Sequence, residues 1–401
     1  MRICTYLSVI PNAVRDLLKH REILHCVQDD REQSGKIRAK FTVSTILYLL
    51  LSLTLAPATG WASLPNDFLY YGYYGDRLIS QSGKINRDIT LLQMKQKAQK
   101  NPWVIVGGDA ILIARYPRLE NKPLYLFDQL SAELQNLRTN VVVNFSEYGF
   151  AQFNYQVNSD LLLDGFVTLG NLDRSPLFLT VGKQYIPYGD FNKYEAEVNP
   201  LNKTVFRIDK PAVTAGIYTG DYLLRASFVD NDEYNNNAVA FSAEKHFKIK
   251  QDNWRISAGY ISNITDMTKP LRTLDISHNQ VPAFDTFAIY NHKQYSLRVE
   301  ITQALKNFTY THNLGAYNID GQYQTMLFNR RTKFSLAVSG LYNQGQIKND
   351  QAFDKLGLFT HQFVFSIKHR LHPQVSLGFS ALLGKQRTYQ NQAILDLVIK
   401  V

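Results

Sequence analysis

The sequence is short of cysteine, of long apolar runs and of tryptophan, and each shortage excludes something. Its 401 residues hold two cysteines, Cys4 and Cys26. Everything beyond residue 26 therefore lacks disulfides and thiolate metal sites. The one long apolar run, residues 41–56, falls short of the roughly 20 residues that a spanning helix needs, which excludes a polytopic helical membrane protein. Charged residues make up 19% and apolar ones 45%, so the chain has enough apolar surface to fold and is not disordered. Tyrosine and phenylalanine, 24 and 23 of them against three tryptophans, are plentiful, and Asn and Gln recur throughout. That mixture favours strands joined by polar loops and makes all-β the leading class.

The N-terminus reads as an export signal. Lys36, Arg38 and Lys40 precede the apolar run, Pro57 ends it, and Gly60-Trp61-Ala62 offers a small-residue cleavage site. Cleavage after Ala62 is expected, with residues 36–62 as the signal peptide. Signal peptides start at their initiating Met, so residues 1–35 read as a non-native or misannotated extension. Residues 63–101 form an expected periplasmic segment containing a short helix over 89–100 (ITLLQMKQKAQK), and residues 102–401 form the β-domain.

Beyond Trp103 the apolar residues recur with period 2. Leu224, Ala226 and Phe228 alternate with Leu223, Arg225 and Ser227, and Leu297, Val299 and Ile301 alternate with Arg298, Glu300 and Thr302. Sixteen strands are expected, among them 295–304, 308–317, 322–328 and 333–342. Their connections fall into two classes, as in barrels with tight periplasmic turns and long outer loops. The short class is 220–221, 251–253, 305–307, 329–332 and 370–373; the long class is 185–212, 263–294 and 343–360. Sixteen strands enclose too wide an interior for wall side chains to fill, which predicts an aqueous channel with the apolar face on lipid. Phe334 and Tyr342 are spaced as two aromatic girdles require. A soluble sandwich would bury the same face, but the signal peptide and strand number favour a transmembrane antiparallel β-barrel in a Gram-negative outer membrane.

Motifs for chemistry are few. Residues 378–385 (GFSALLGK) have five residues between their glycines and Gln386 in place of Ser or Thr, so they are strand rather than phosphate loop. Asp230-Asn231-Asp232-Glu233 lacks the central Gly and distal Glu of a calcium loop. His246, His292, His369 and His372 have no metal-ligand spacing, and no Ser/His/acid trio is nominated. No enzyme activity, cofactor or metal is expected.

The predicted inward face carries Arg225, Lys248, Arg255, Arg298, Lys333 and Lys368 against Glu244 and Glu300. This excess of cations predicts a preference for anionic solutes. Internal Arg–Glu pairing that only stiffens the wall is the equal alternative. The cations are scattered, with no contiguous patch for nucleic acid.

Residues 176–191 (PLFLTVGKQYIPYGDF), followed by Asn199-Pro200-Leu201, resemble the segment that marks the LbtU family of siderophore porins of Legionella-like bacteria. Gly182, Lys183, Gln184, Tyr185, Pro187, Gly189 and Phe191 carry the likeness, which extends loosely over the exported chain. The resemblance implies uptake of a ferric siderophore or similar anionic solute through a plugless barrel. Partners would be outer-membrane lipid and lipopolysaccharide, the solute, and the barrel-assembly machinery. The motif also has an architectural reading, with Gly182 and Gly189 allowing a bend. The last strand ends in Val401 instead of the aromatic that resembles an assembly signal, so slower insertion is expected. A general diffusion porin, and an outer-membrane enzyme or adhesin acting through its long loops, stand as alternatives, and the oligomeric state is left open.

Overall fold

The computed structural model describes residues 69–70, 87–97, 104–117, 131–159, 161–192, 198–231, 237–265, 267–274, 279–309, 311–342, 359–385 and 389–400. The expected extension and signal peptide lie outside these residues. The described chain is mostly strand: β1 (Leu69–Tyr70), β2 (Val104–Pro117), β3 (Ser131–Ser146), β4 (Gly149–Gln156), β5 (Leu161–Gly170), β6 (Leu177–Tyr185), β7 (Asp209–Tyr218), β8 (Tyr222–Val229) and β9 (Ala238–Ile249). The series continues with β10 (Asp252–Ile261), β11 (Ala283–His292), β12 (Tyr295–Ala304), β13 (Gly315–Leu327), β14 (Arg330–Tyr342), β15 (His361–His372), β16 (Val375–Lys385) and β17 (Tyr389–Lys400). Each of β2–β17 pairs antiparallel with its sequence neighbours, and β17 pairs with β2, so sixteen strands close into a barrel. The two-residue β1 runs parallel to Val104 and Ile105, below the stretch of β2 that β17 occupies. Closure leaves the barrel wall with no free edge.

The outward side chains are apolar. Leu224, Phe228, Phe241, Ile256, Tyr260, Leu297, Ile301, Ile319, Leu336, Phe363 and Leu395 are all exposed. A contiguous belt of this size in water would be an aggregation surface, and around a closed barrel it fits lipid. Aromatic rings line its lower rim: Trp254 stacks 6.2 Å from Phe247 and lies 4.6 Å from Tyr290, and Tyr323 stacks between Tyr295 and Phe334. Phe334 thus joins this row, while Tyr342, at the other end of β14, pairs across from Gly315, where an added Cβ would meet its ring.

One end of the barrel has only tight turns and the other holds the long connections, as the two classes predict. The turn between β13 and β14 passes through Phe328 and Asn329, both at positive φ (50° and 57°), the geometry of a type I′ hairpin. Two strand assignments differ from expectation and cancel in the count. Ala283–His292, expected within an outer loop, is strand β11 in full ladder with β10 and β12. The expected pair 308–317 and 322–328 is one strand, β13, so 305–307 belongs to the loop end. Asn318-Ile319-Asp320-Gly321 reads locally as a turn, but Asn318 and Asp320 are polar because they face inward.

The expected water-filled lumen is corrected over much of its height. Inward Asn140, Asn154, Glu300, Thr302 and Asn318 are wholly buried. The filling comes from segments that fold inward. At the loop end, the described residues between 186 and 208 and between 262 and 282, with short helices α2 (Leu201–Phe206) and α3 (Lys269–Leu274), form an apolar core with Ala212, Ala240, Ile261, Ala283 and Ala316 of the wall. At the turn end lies a third helix, designated α1 (Arg87–Lys97), which precedes the barrel in the chain and overlaps the helix expected at 89–100.

Candidate functional site: the lumen crossing

The loop between β6 and β7 folds into the interior and is anchored there. Its departure from the wall begins at Gly182, whose φ of +132° suits glycine alone, and where a Cβ would strike the Gly165 carbonyl. Ile186, Tyr188 and Phe191 follow, all buried, with the Tyr188 and Phe191 rings 5.0 Å apart. The Tyr188 hydroxyl donates to the Phe206 carbonyl and closes the loop on itself. Burial, with Asp285 and Glu300 nearby, pushes the Tyr188 hydroxyl well above its usual pKa, so it remains a donor. On the wall, β10 makes room with Gly259, where any Cβ would collide with the Tyr188 carbonyl.

Glu300 of β12 is the main anchor. Its Oε1 accepts from the Asp190 and Phe191 backbone N–H groups at 2.7 and 2.8 Å, and its Oε2 accepts from Asn202 Nδ2 at 2.6 Å. The loop then reaches the far wall. The Leu201 N–H donates to Ser339 Oγ at 3.2 Å, Gln362 Nε2 donates to the Asn199 carbonyl at 2.8 Å, and Val198 packs against Ile111, Ile394, Val364 and Leu382. A segment anchored to β12 and touching β2, β14, β15, β16 and β17 crosses the barrel.

A row of alternating charges runs beside it. His246 meets Glu244, whose Oε1 accepts from Arg255 Nε at 2.8 Å. Arg255 reaches Asp190 of the loop at 3.7 Å, and Arg298 reaches the other oxygen of Asp190 at 3.2 Å and Asp320 at 3.6 Å. Arg255 also lies 5.6 Å over the Phe287 ring. Asp190, Arg298 and Asp320 are buried, where such pairs are only weakly screened.

The six expected lumen cations thus have different settings. Arg255 and Arg298 converge on one carboxylate. Lys333 and Lys368 face each other across β14 and β15, with Asp396 3.7 Å from Lys368. Arg225 is buried near Asp88 of α1, and Lys248 is exposed at the turn end. The expected excess of cations is corrected. Buried inward carboxylates include Asp109, Asp164, Glu244, Asp285, Glu300, Asp320 and Asp396, with Asp88 and Asp190 added by α1 and the loop. Asp109 is held by Arg138, and Asp164 by Gln152 and Asn154. Asp285 and Asp320 were hidden in the strand that went unseen and the strand that was split.

The motif residues build the crossing. Gln184 Nε2 donates to Thr214 Oγ1 at 3.0 Å, Arg207 stacks 4.2 Å over Tyr185, and Lys183 donates to the Leu162 carbonyl at 2.6 Å. Pro187 is buried, Gly189 fits between Phe191 and Asp285, and Phe191 takes a φ of 45°. Asp190 and Asn202, the side chains that meet the wall charges, carried no local signal beyond their place in this segment.

No protein-family model matches the chain, and no characterised protein matches it in sequence. Solved structures do. The outer-membrane channel DcaP of Acinetobacter baumannii is similar with a TM-score of 0.53 and 10% identity, over 74% of this chain and 97% of that one. OmpT, an outer-membrane protein of Vibrio cholerae, gives 0.50 and 8% over 76% and 100%. Its loop L8 deletion variant gives 0.50 and 9% over 74% and 99%. At such identities the likeness shows the fold, a closed sixteen-stranded antiparallel barrel of the outer-membrane porin type.

Proposed function

We propose that the chain is a solute-selective porin of a Gram-negative outer membrane, taking up a ferric polycarboxylate siderophore or a similar multiply anionic solute. The observation that carries this reading is the convergence of Arg255 and Arg298 on the Asp190 carboxylate inside a closed barrel. A pair of guanidinium groups that holds one carboxylate by ion pairing can exchange it for a solute's. Lys333 and Lys368 extend the cationic path toward the turn end, which is the periplasmic end in this reading. The apolar outer belt supports placement in lipid, and the likeness of the 176–191 segment to siderophore porins supports the solute class.

A general diffusion porin fits less well, because residues 186–208 cross the interior and their anchors are buried. The test is planar-bilayer conductance with ferric polycarboxylate chelates on one side. Saturable block by the ferric chelate, weaker with the iron-free ligand, is the expected result. Channels indifferent to either chelate would leave an unselective porin.

A further inference from the structure

The helix α1 sets the turn end apart. Its residues Asp88, Ile89, Leu91 and Leu92 are buried, and the three apolar ones cluster with Ile105, Val142, Phe150, Phe166, Phe178 and Leu223, with Leu172 and Tyr218 at the margins. These six wall residues sit near the turn ends of β2, β3, β4, β5, β6 and β8, and all point inward. Elsewhere at this end the inward positions are mostly polar or charged, among them His246, Lys248, Asn253, Asn291, Ser296, Gln322, Lys333 and Lys368, with Val398 an apolar exception. A water-filled mouth has no use for three phenylalanines on one sector of its wall, so that sector is built to receive an apolar face. The sequence of α1 supplies one, with Ile89 and Leu92 one turn apart, Leu91 beside them, and Gln93, Lys95, Gln96 and Lys97 in its second half. Asp88 fixes its place: the Thr180 hydroxyl donates to Asp88 Oδ2 at 3.2 Å, and the Asp88 carboxylate attracts buried Arg225.

We propose that α1 is a built-in plug. Docked, it closes the β3–β8 sector of the periplasmic mouth and leaves the basic β14–β15 sector as the way through; released, it opens both. The inference rests on the channel reading above and adds a moving part to it. Among the described side chains, the grip on α1 is one apolar face, the Asp88 carboxylate and a Gln93–Tyr218 hydrogen bond, whereas Glu300 and Asp190 hold the crossing by several charged contacts.

The test uses the full chain, exported to the outer membrane, in which Cys4→Ser and Cys26→Ser remove the native thiols. Asp88→Cys and Thr180→Cys are added where the two side chains touch. Oxidation should form the disulfide and lock a low conductance. Reduction should raise single-channel conductance by roughly a factor of two or more, since a helix about 10 Å across leaves the path. Leu92→Asp alone should give the high-conductance state without any reductant. Failure of the disulfide to form in a folded barrel, or equal conductance in both redox states, overturns the plug. A folded barrel that conducts in neither state overturns the channel reading as well, which separates the two failures.

Discussion

Two of the segments that fold into this barrel, the 186–208 crossing and α1, are held there by different forces. The crossing at 186–208 is tied down by Glu300, which takes three N–H donors, and by Asp190 between two arginines. The described side chains of α1 lie on an apolar patch, with the Asp88 carboxylate and a Gln93–Tyr218 hydrogen bond at its edge. Buried charge-assisted contacts lose heavily when one partner is removed, because the other is left unsatisfied. An apolar contact of three side chains yields in smaller steps. The crossing is therefore expected to be a fixed constriction and α1 a removable one.

The largest effect should come from the crossing. Glu300→Ala strands the Asp190 and Phe191 N–H groups and the Asn202 amide, and should destabilise the barrel by about 3–5 kcal/mol while raising conductance; Glu300→Gln should retain much of both. Urea unfolding in lipid and single-channel recording read the two properties side by side. Unchanged stability in Glu300→Ala would erase the contrast with α1.

Next, Leu336→Arg places a charge on the outward face at the middle of β14 and should lose roughly 2–4 kcal/mol with no change in conductance. That separates damage to the wall from damage to what fills it. Gly259→Ala forces the Tyr188 carbonyl away from β10 and should lose about 1–3 kcal/mol by overpacking. It should also alter solute block, because Asp190 lies two residues from Tyr188.

The smallest effect is a pH dependence of α1 docking. Burial raises the Asp88 carboxyl above its ordinary 3.8, against the pull of Arg225 and Thr180. A raised carboxyl in the docked state favours docking at low pH. The gain is complete below 3.8 and is lost as pH rises through the raised value. Conductance should fall modestly on acidification, and Asp88→Asn should abolish that dependence.

Much of the wall was legible because one solvent-facing pattern repeats: side chains that meet lipid are apolar, and period 2 exposes them. The pattern fails where the lumen is packed. In β11, Phe287 and Ile289 point inward onto buried neighbours, so both faces are apolar and the alternation vanishes. In β13, Asn318, Asp320 and Gly321 imitate a turn. Arg255, Arg298 and Glu300 could be named from their strands, but Asp190 could not, since it reaches them from a loop 110 residues before its anchor Glu300. The apolar patch under α1 is scattered over six strands and becomes visible only once they are side by side.

The most direct test compares two adjacent residues of β10, using single cysteines at 255 and 256 in the chain otherwise freed of thiols. Charged methanethiosulfonate reagents applied in the bilayer should react with Arg255→Cys and step the conductance down, and should leave Ile256→Cys unmodified because it faces lipid. Equal reaction at both positions, or a conductance unaffected by modification at 255, would contradict a solute path running past Arg255, Asp190 and Arg298.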